Sequence, residues 1–130
     1  MSGTGRIDSV TSGAIGGLDV SWPARSEEPG GKTSPEELIA AAHSACLAMS
    51  ISNVVGKEGF TPDSIDISAE VTLGQAEGGL GITGVDLTVR AQVPGLDAGR
   101  FAQLAETAKD TCPVSKALAG TKITMDASLG

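Results

Sequence analysis

Residues 34–46 read SPEELIAAAHSAC, and this stretch decides the architecture of the chain. Ser34 is a good helix N-cap, because its hydroxyl can accept from the free N–H groups of a first turn. Pro35 suits the first helical position, where no N–H is needed. Glu37, three residues after Ser34, completes a capping box. The helical pattern runs on to about Lys57, Gly59 supplies a stop, and Pro62 lies beyond it. At 1.5 Å per residue the helix is roughly 35 Å long, which is large for a small domain. Leu38 to Met49 is apolar nearly all round, so the helix is expected to be covered on most sides. Ala40, Ala41, Ala42, Ala45 and Ala48 keep its surface thin enough for another backbone to approach closely. His43, Ser44, Ser50, Ser52 and Asn53 interrupt the apolar run, so it reads as a buried helix rather than a membrane span.

Upstream, residues 1–33 are rich in glycine and serine. Leu18, Val20 and Trp22 alternate with polar residues and predict a short strand. Ile7 to Val10 is a weaker strand, joined to it through SGAIGG, and residues 26–33 (SEEPGGKT) read as loop. Downstream, Ile65, Ile67, Ala69, Val71 and Leu73 alternate on one strand, and Val85, Leu87, Val89, Ala91 and Val93 on the next. GQAEGGLG between them predicts a hairpin loop. Ile82 is out of phase with Val85, and a β-bulge near Gly84 restores the phase. Asp97 caps a second helix with Phe101, Leu104, Ala105 and Ala108 on one face. Pro113 disfavours helical geometry at Cys112, so that helix ends there and a short third one opens. Ile123, Met125, Ala127 and Leu129 alternate as a closing strand. The order β-β-α-β-β-α-α-β predicts an α+β fold with an antiparallel sheet around a long helix.

At 130 residues the chain is expected to be a single domain, 1–130. Trp22, Phe60 and Phe101 are its only large aromatic residues, so the core is built from Ala, Val, Ile and Leu. A core that poor in bulk makes oligomerisation the expectation. A net charge of −7 argues against nucleic acid or an anionic membrane as partner. No basic or apolar leader follows Met1, which predicts a cytoplasmic protein. In a reducing cytoplasm two thiols are more often catalytic or redox-sensing than a structural disulfide.

Cys112 precedes Pro113, and as a helix N-cap its thiolate would be favoured by the helix end. Cys46 is harder to argue alone, because a mid-helix thiol on an apolar surface is usually buried and inert. Glu36 raises its standing: ten helical residues bring it to within about 80° of Cys46, whereas Glu37 falls nearly opposite. The two positions lie about 15 Å apart along the axis, so a bridge is needed. Arg25, from the preceding loop, is a candidate, since a guanidinium can hold a carboxylate with one edge and a thiolate or peroxide with another. His43 can be a base, but a lone helix histidine is usually structural. Two cysteines without CxxC spacing and one histidine make a poor zinc set, and no metal is expected. No P-loop, dinucleotide fingerprint or GxSxG nucleophile motif is present.

SPEELIAAAHSAC, GFTPDSIDISAEV, VPGLDAGRFAQLAETAKDTCPVSKAL and KITMDASL together resemble the OsmC/Ohr family of thiol peroxidases, nearest its OsmC branch. The likeness runs from about Gly3 to the C-terminus. It implies an intertwined homodimer, two central helices wrapped by sheets from both chains, with active sites at the interface. It makes Cys46 the peroxidatic thiol and Cys112 the resolving one, and it carries the family's carboxylate onto Glu36 and its arginine onto Arg25. Family members usually begin with an additional strand that this chain starts too late to contain in full, so the expectation is either a shortened sheet edge or a start site chosen differently.

The resemblance implies a cytoplasmic hydroperoxide reductase of oxidative or osmotic stress defence, with no bound cofactor. Organic hydroperoxides are the expected substrates, and hydrogen peroxide a poorer one. The reductant is an external dithiol, and the Ohr branch's use of lipoyl dithiols makes a lipoyl group or lipoylated protein the candidate. The alternative is a non-catalytic OsmC-like module for redox sensing or binding. A third reading is a structural protein with buried thiols.

Overall fold

The computed structural model describes residues 4–7 and 12–130. The chain gathers into two compact units, Met1–Ile39 and Ala40–Gly130. In the first, β1 (Thr4–Ile7) pairs antiparallel with β2 (Leu18–Ser21), Thr4 opposite Ser21 and Ile7 opposite Leu18. Of the strand expected over Ile7 to Val10, Ile7 closes β1, and residues 8–10 lie outside the described residues. Trp22 does not continue β2. It opens α1 (Trp22–Ser26), because extended Ser21 accepts from the Ala24 N–H at 3.1 Å and Pro23 presets the helical φ. Local capping here defeats the period-2 pattern. The Thr33 N–H then bonds the Asp19 carbonyl at 3.0 Å, which ties the start of the next helix to β2.

That helix, α2 (Pro35–Lys57), has the expected bounds. The Ser34 hydroxyl accepts from the Glu37 N–H at 3.2 Å, and the Glu37 carboxylate accepts from the Thr33 hydroxyl at 2.6 Å. At the far end Gly59 takes a φ of 88°. The Phe60 N–H bonds Val55 O and the Gly59 N–H bonds Gly56 O, a Schellman stop that only a positive-φ residue closes without strain.

In the second unit β3 (Ser64–Ala76) and β4 (Gly79–Gln92) form an antiparallel hairpin. Pairing persists through most of the stretch expected as loop, down to Ala76 opposite Gly79, and Gly78 turns the chain at φ 86°. Thr72 faces Gly84 and Leu73 faces Ile82, so Thr83 is the extra residue of the expected bulge. After β4 come α3 (Ala98–Thr111), capped by the Asp97 carboxylate on the Arg100 N–H at 2.8 Å, and α4 (Pro113–Ala117). β5 (Lys122–Leu129) lies parallel to β4, from Gly84 opposite Lys122 to Ala91 opposite Leu129. The sheet is therefore mixed, in the order β3-β4-β5: the two helices carry the chain back before β5 begins, and a crossover delivers a parallel strand.

Leu47, Ile51 and Val55 of α2, alternate residues of β4, and Phe101, Leu104, Ala105 and Ala108 of α3 make the core. The expectation that α2 is covered on most sides is not met within the chain. From His43 onward one stripe is buried, while Ala41, Ala42, Ala45 and Met49 stay exposed, Met49 by 75%. Residues four apart share a face, so one layer of core can cover only that face.

Candidate active site

Cys46 lies mid-way along α2, and Cys112 is the single residue between α3 and α4. Their sulfurs are 3.0 Å apart and both are free thiols. Cys112 is fully buried, whereas Cys46 keeps partial exposure. Burial pushes the Cys46 thiol up, and the adjacent Cys112 sulfur adds to this. The Val114 N–H and the Ser50 hydroxyl oppose the shift without reversing it. Burial works against the Cys112 thiolate too, but hydrogen bonding from Cys46, from the Ser115 and Val114 N–H groups and from the Ser115 hydroxyl outweighs it. The Cys112 thiol therefore sits below its ordinary value, as its position before a helix start predicts.

Arg25 and Glu36, both in the first unit, also meet. Arg25 Nε donates to Glu36 Oε1 at 2.9 Å and Oε2 at 3.2 Å, and the carboxylate is buried. Arg25 belongs to the last turn of α1 rather than to a loop, and its guanidinium stands 5.5 Å from the Trp22 ring centre. This fixes the head group from two sides.

His43, one turn before Cys46, is fully buried, with Nε2 2.8 Å from Ser115 Oγ. Its Nδ1 has no partner. Burial lowers the pKa of the ring, so it is neutral near pH 7. Among the described residues no three His, Cys, Asp or Glu side chains gather as a metal cluster.

Over residues 28–127 the chain matches the family model described as OsmC-like protein. The chain belongs to the OsmC-like family. It is 46% identical over 97 residues to peroxiredoxin OsmC of Escherichia coli (strain K12), covering 75% of this chain and 67% of that protein. It is 34% identical over 92 residues to the organic hydroperoxide resistance protein of Xanthomonas axonopodis pv. citri, covering 70% and 63%. The alignments thus span about two thirds of these curated relatives. The crystal structure of the organic hydroperoxide resistance protein OhrB of Bacillus subtilis superposes with a TM-score of 0.73 at 25% identity, covering 100% of this chain and 98% of that one.

Within this OsmC-like chain, sequence reasoning passed over Ser115 and Ser50. Ser115 had a readable signal: it is the third residue of the helix that Cys112 caps, where a side chain turns back toward the cap. Ser50 follows Cys46 by one helical turn, and in a helix that long the spacing alone does not single it out. Leu47 and Ile51, which flank Cys46 on α2, are core residues together with Phe101, Phe60 packs against the same core, and Met49 is exposed. Apolar space lies instead in the first unit, in a cavity of about 470 Å³ lined by Ile7, Val20, Trp22, Arg25, Pro35 and Leu38 among others.

Proposed function

We propose that this OsmC-like chain is a thiol-dependent peroxidase that reduces organic hydroperoxides, with Cys46 as the peroxidatic and Cys112 as the resolving cysteine. The observation that carries this is the pair of free thiols 3.0 Å apart, of which Cys46 is partly exposed and Cys112 buried. Access decides which sulfur meets a peroxide first, and the acidity of Cys112 complements it. Cys112 as thiolate can take the Cys46 proton when attack begins. The Cys46 sulfur then bonds the distal peroxide oxygen, the O–O bond breaks, and the leaving alkoxide takes a proton from solvent to become an alcohol. Cys46 is left as sulfenic acid. Cys112 attacks that sulfur, the S–O bond breaks, and the hydroxyl leaves with the Cys112 proton as water. An external dithiol exchanges with the disulfide and is itself oxidised, which restores both thiols.

Glu36 and Arg25 take the roles the family resemblance gives them, Glu36 holding the guanidinium and Arg25 stabilising negative charge on the peroxide. Their short, partly buried pairing supports this. In this reading the protein acts in the cytoplasm, as a homodimer with active sites at the interface, and a lipoyl dithiol is the reductant. Relatives named peroxiredoxin and organic hydroperoxide resistance protein support the activity.

An alkyl group on the substrate adds apolar surface that can be buried on binding, and hydrogen peroxide has none. Two or three buried methylenes contribute roughly 2 kcal/mol, about thirtyfold in specificity. Cumene or tert-butyl hydroperoxide should therefore exceed hydrogen peroxide in kcat/KM under one dithiol, and Cys46→Ser should lose all turnover. Equal or inverted values would remove the organic-substrate assignment, and a fully active Cys46→Ser would remove the mechanism.

A further inference from the structure

Two buried links join α2 to the start of α4. Cys46 Sγ meets Cys112 Sγ at 3.0 Å, and His43 Nε2 meets Ser115 Oγ at 2.8 Å. His43 precedes Cys46 by three residues and Ser115 follows Cys112 by three, so the second link lies one turn from the first on both elements. The peroxide chemistry uses only the thiols. The other pair is nonetheless buried, His43 fully and Ser115 nearly so.

The second link matters because little else grips α4. α3 buries Phe101, Leu104, Ala105 and Ala108, so its own apolar face anchors it. α4 has no such face: of its five residues Ser115 alone is buried, Val114 is half-buried and the rest are exposed. Just beyond it, Leu118 packs partly buried against the core. The Cys112 N–H bonds the Ala108 carbonyl at 2.9 Å, which ties its backbone to α3. Pro113 breaks the helix at that point, so the direction of α4 is set by what holds α4 itself. The Lys116 N–H closes the next turn on the Cys112 carbonyl at 3.0 Å, so Cys112 and Ser115 move as one piece. The polar grip on that piece is the His43–Ser115 hydrogen bond, which either tautomer of a neutral imidazole can make.

We propose that His43 and Ser115 are positioning residues for disulfide closure: their buried hydrogen bond pins α4 to α2 and so keeps the Cys112 sulfur within bonding reach of Cys46. A disulfide sets its sulfurs about 2.05 Å apart, so they close by roughly 1 Å from the dithiol. A short, directional hydrogen bond one turn away restrains α4 from swinging outward instead. Neither side chain enters the bond changes. Cys112 Sγ bonds Cys46 Sγ, the S–O bond of the sulfenic acid breaks, and the hydroxyl leaves as water with the Cys112 proton. Slower closure would leave the sulfenic acid open to a second peroxide, which carries it on to sulfinic acid. That consequence rests on the peroxidase reading, but the effect of the pin on the dithiol–disulfide equilibrium does not.

The test needs no peroxide. The protein is equilibrated with mixtures of reduced and oxidised glutathione, free thiols are blocked with a maleimide, and the fraction of Cys46–Cys112 disulfide is read by mass. Ser115→Ala and His43→Leu should each make the disulfide about tenfold less favoured, the worth of one buried hydrogen bond. For this two-electron couple that is a reduction potential higher by about 30 mV. His43→Gln, whose amide can replace the Nε2 contact, should stay near the parent. Val85→Ala, a core truncation on β4, should lower the Tm and leave the potential where it was. Ser115→Ala removes one oxygen, so it serves if His43→Leu fails to fold. An unchanged potential in Ser115→Ala overturns the pin even if the protein reduces peroxides, and an equal shift in Val85→Ala or His43→Gln overturns it as well. The expected shifts in a protein that reduces no peroxide would leave the pin standing and remove the peroxidase reading.

Discussion

Cys112 is one residue wide between two helices, and that position gives it three properties at once. Pro113 cannot donate and disfavours helical geometry at Cys112, so α3 stops there and α4 starts at the next residue, with the helix end beside the sulfur. The same junction buries it and sets it against Cys46. If the roles follow access, Cys112→Ser should still consume one equivalent of peroxide and leave a sulfenic acid on Cys46, read by trapping with a dimedone-type reagent. Turnover retained by Cys46→Ser but lost in Cys112→Ser would reverse the roles. His43 carries a second expectation at this scale. Burial holds its folded pKa below the ordinary 6.5, so the unfolded chain takes up the proton first as pH falls. Stability from neutral His43 is therefore present above about 6.5 and is lost as pH falls toward the folded value. The Tm difference between the parent and His43→Gln should narrow between pH 7.5 and about 5.5. A constant gap would mean that His43 does not remain neutral in the folded state.

On the scale of elements, α2 assigns different tasks to adjacent glutamates. Glu37 accepts from Thr33 at the helix start, and Glu36 holds Arg25. Glu37→Ala should cost roughly 1 kcal/mol of stability with little effect on kcat/KM. Glu36→Gln should slow peroxide reduction at least tenfold while changing the Tm less, because the amide keeps the shape and loses the charge that orients the guanidinium. Thermal melts paired with steady-state rates check both, and equal kinetic losses would dissolve the distinction. The boundaries of α2 were legible from Ser34, Pro35 and Gly59 because capping is local chemistry. α1 was not, since Leu18, Val20 and Trp22 alternate as a strand does, and only the Ser21 hydroxyl on the Ala24 N–H ends the alternation.

For the molecule as a whole, the exposed face of α2 is the feature left to account for. Ala41, Ala42 and Ala45 are small enough for close helix approach, and Met49 is 75% exposed beside them. A second copy covering this face would bury apolar surface that a single chain leaves in water. Sedimentation equilibrium should give a mass near twice 12.9 kDa at micromolar concentration. Met49→Glu should shift the protein toward the monomer. An active monomer under the same conditions would contradict the assembly.

The bounds of α2, the bulge of the β3–β4 hairpin and the caps at Ser34 and Asp97 were determined by the sequence alone, because each rests on residues within a few positions of one another. The parallel entry of β5, the apposition of Cys46 and Cys112 and the link from His43 to Ser115 were decided only by the tertiary structure. Sixty-six residues separate the two cysteines and seventy-two separate His43 from Ser115. No local propensity encodes such distances. They follow from where α3 and α4 return the chain against α2, which is settled by the packing of the core as a whole.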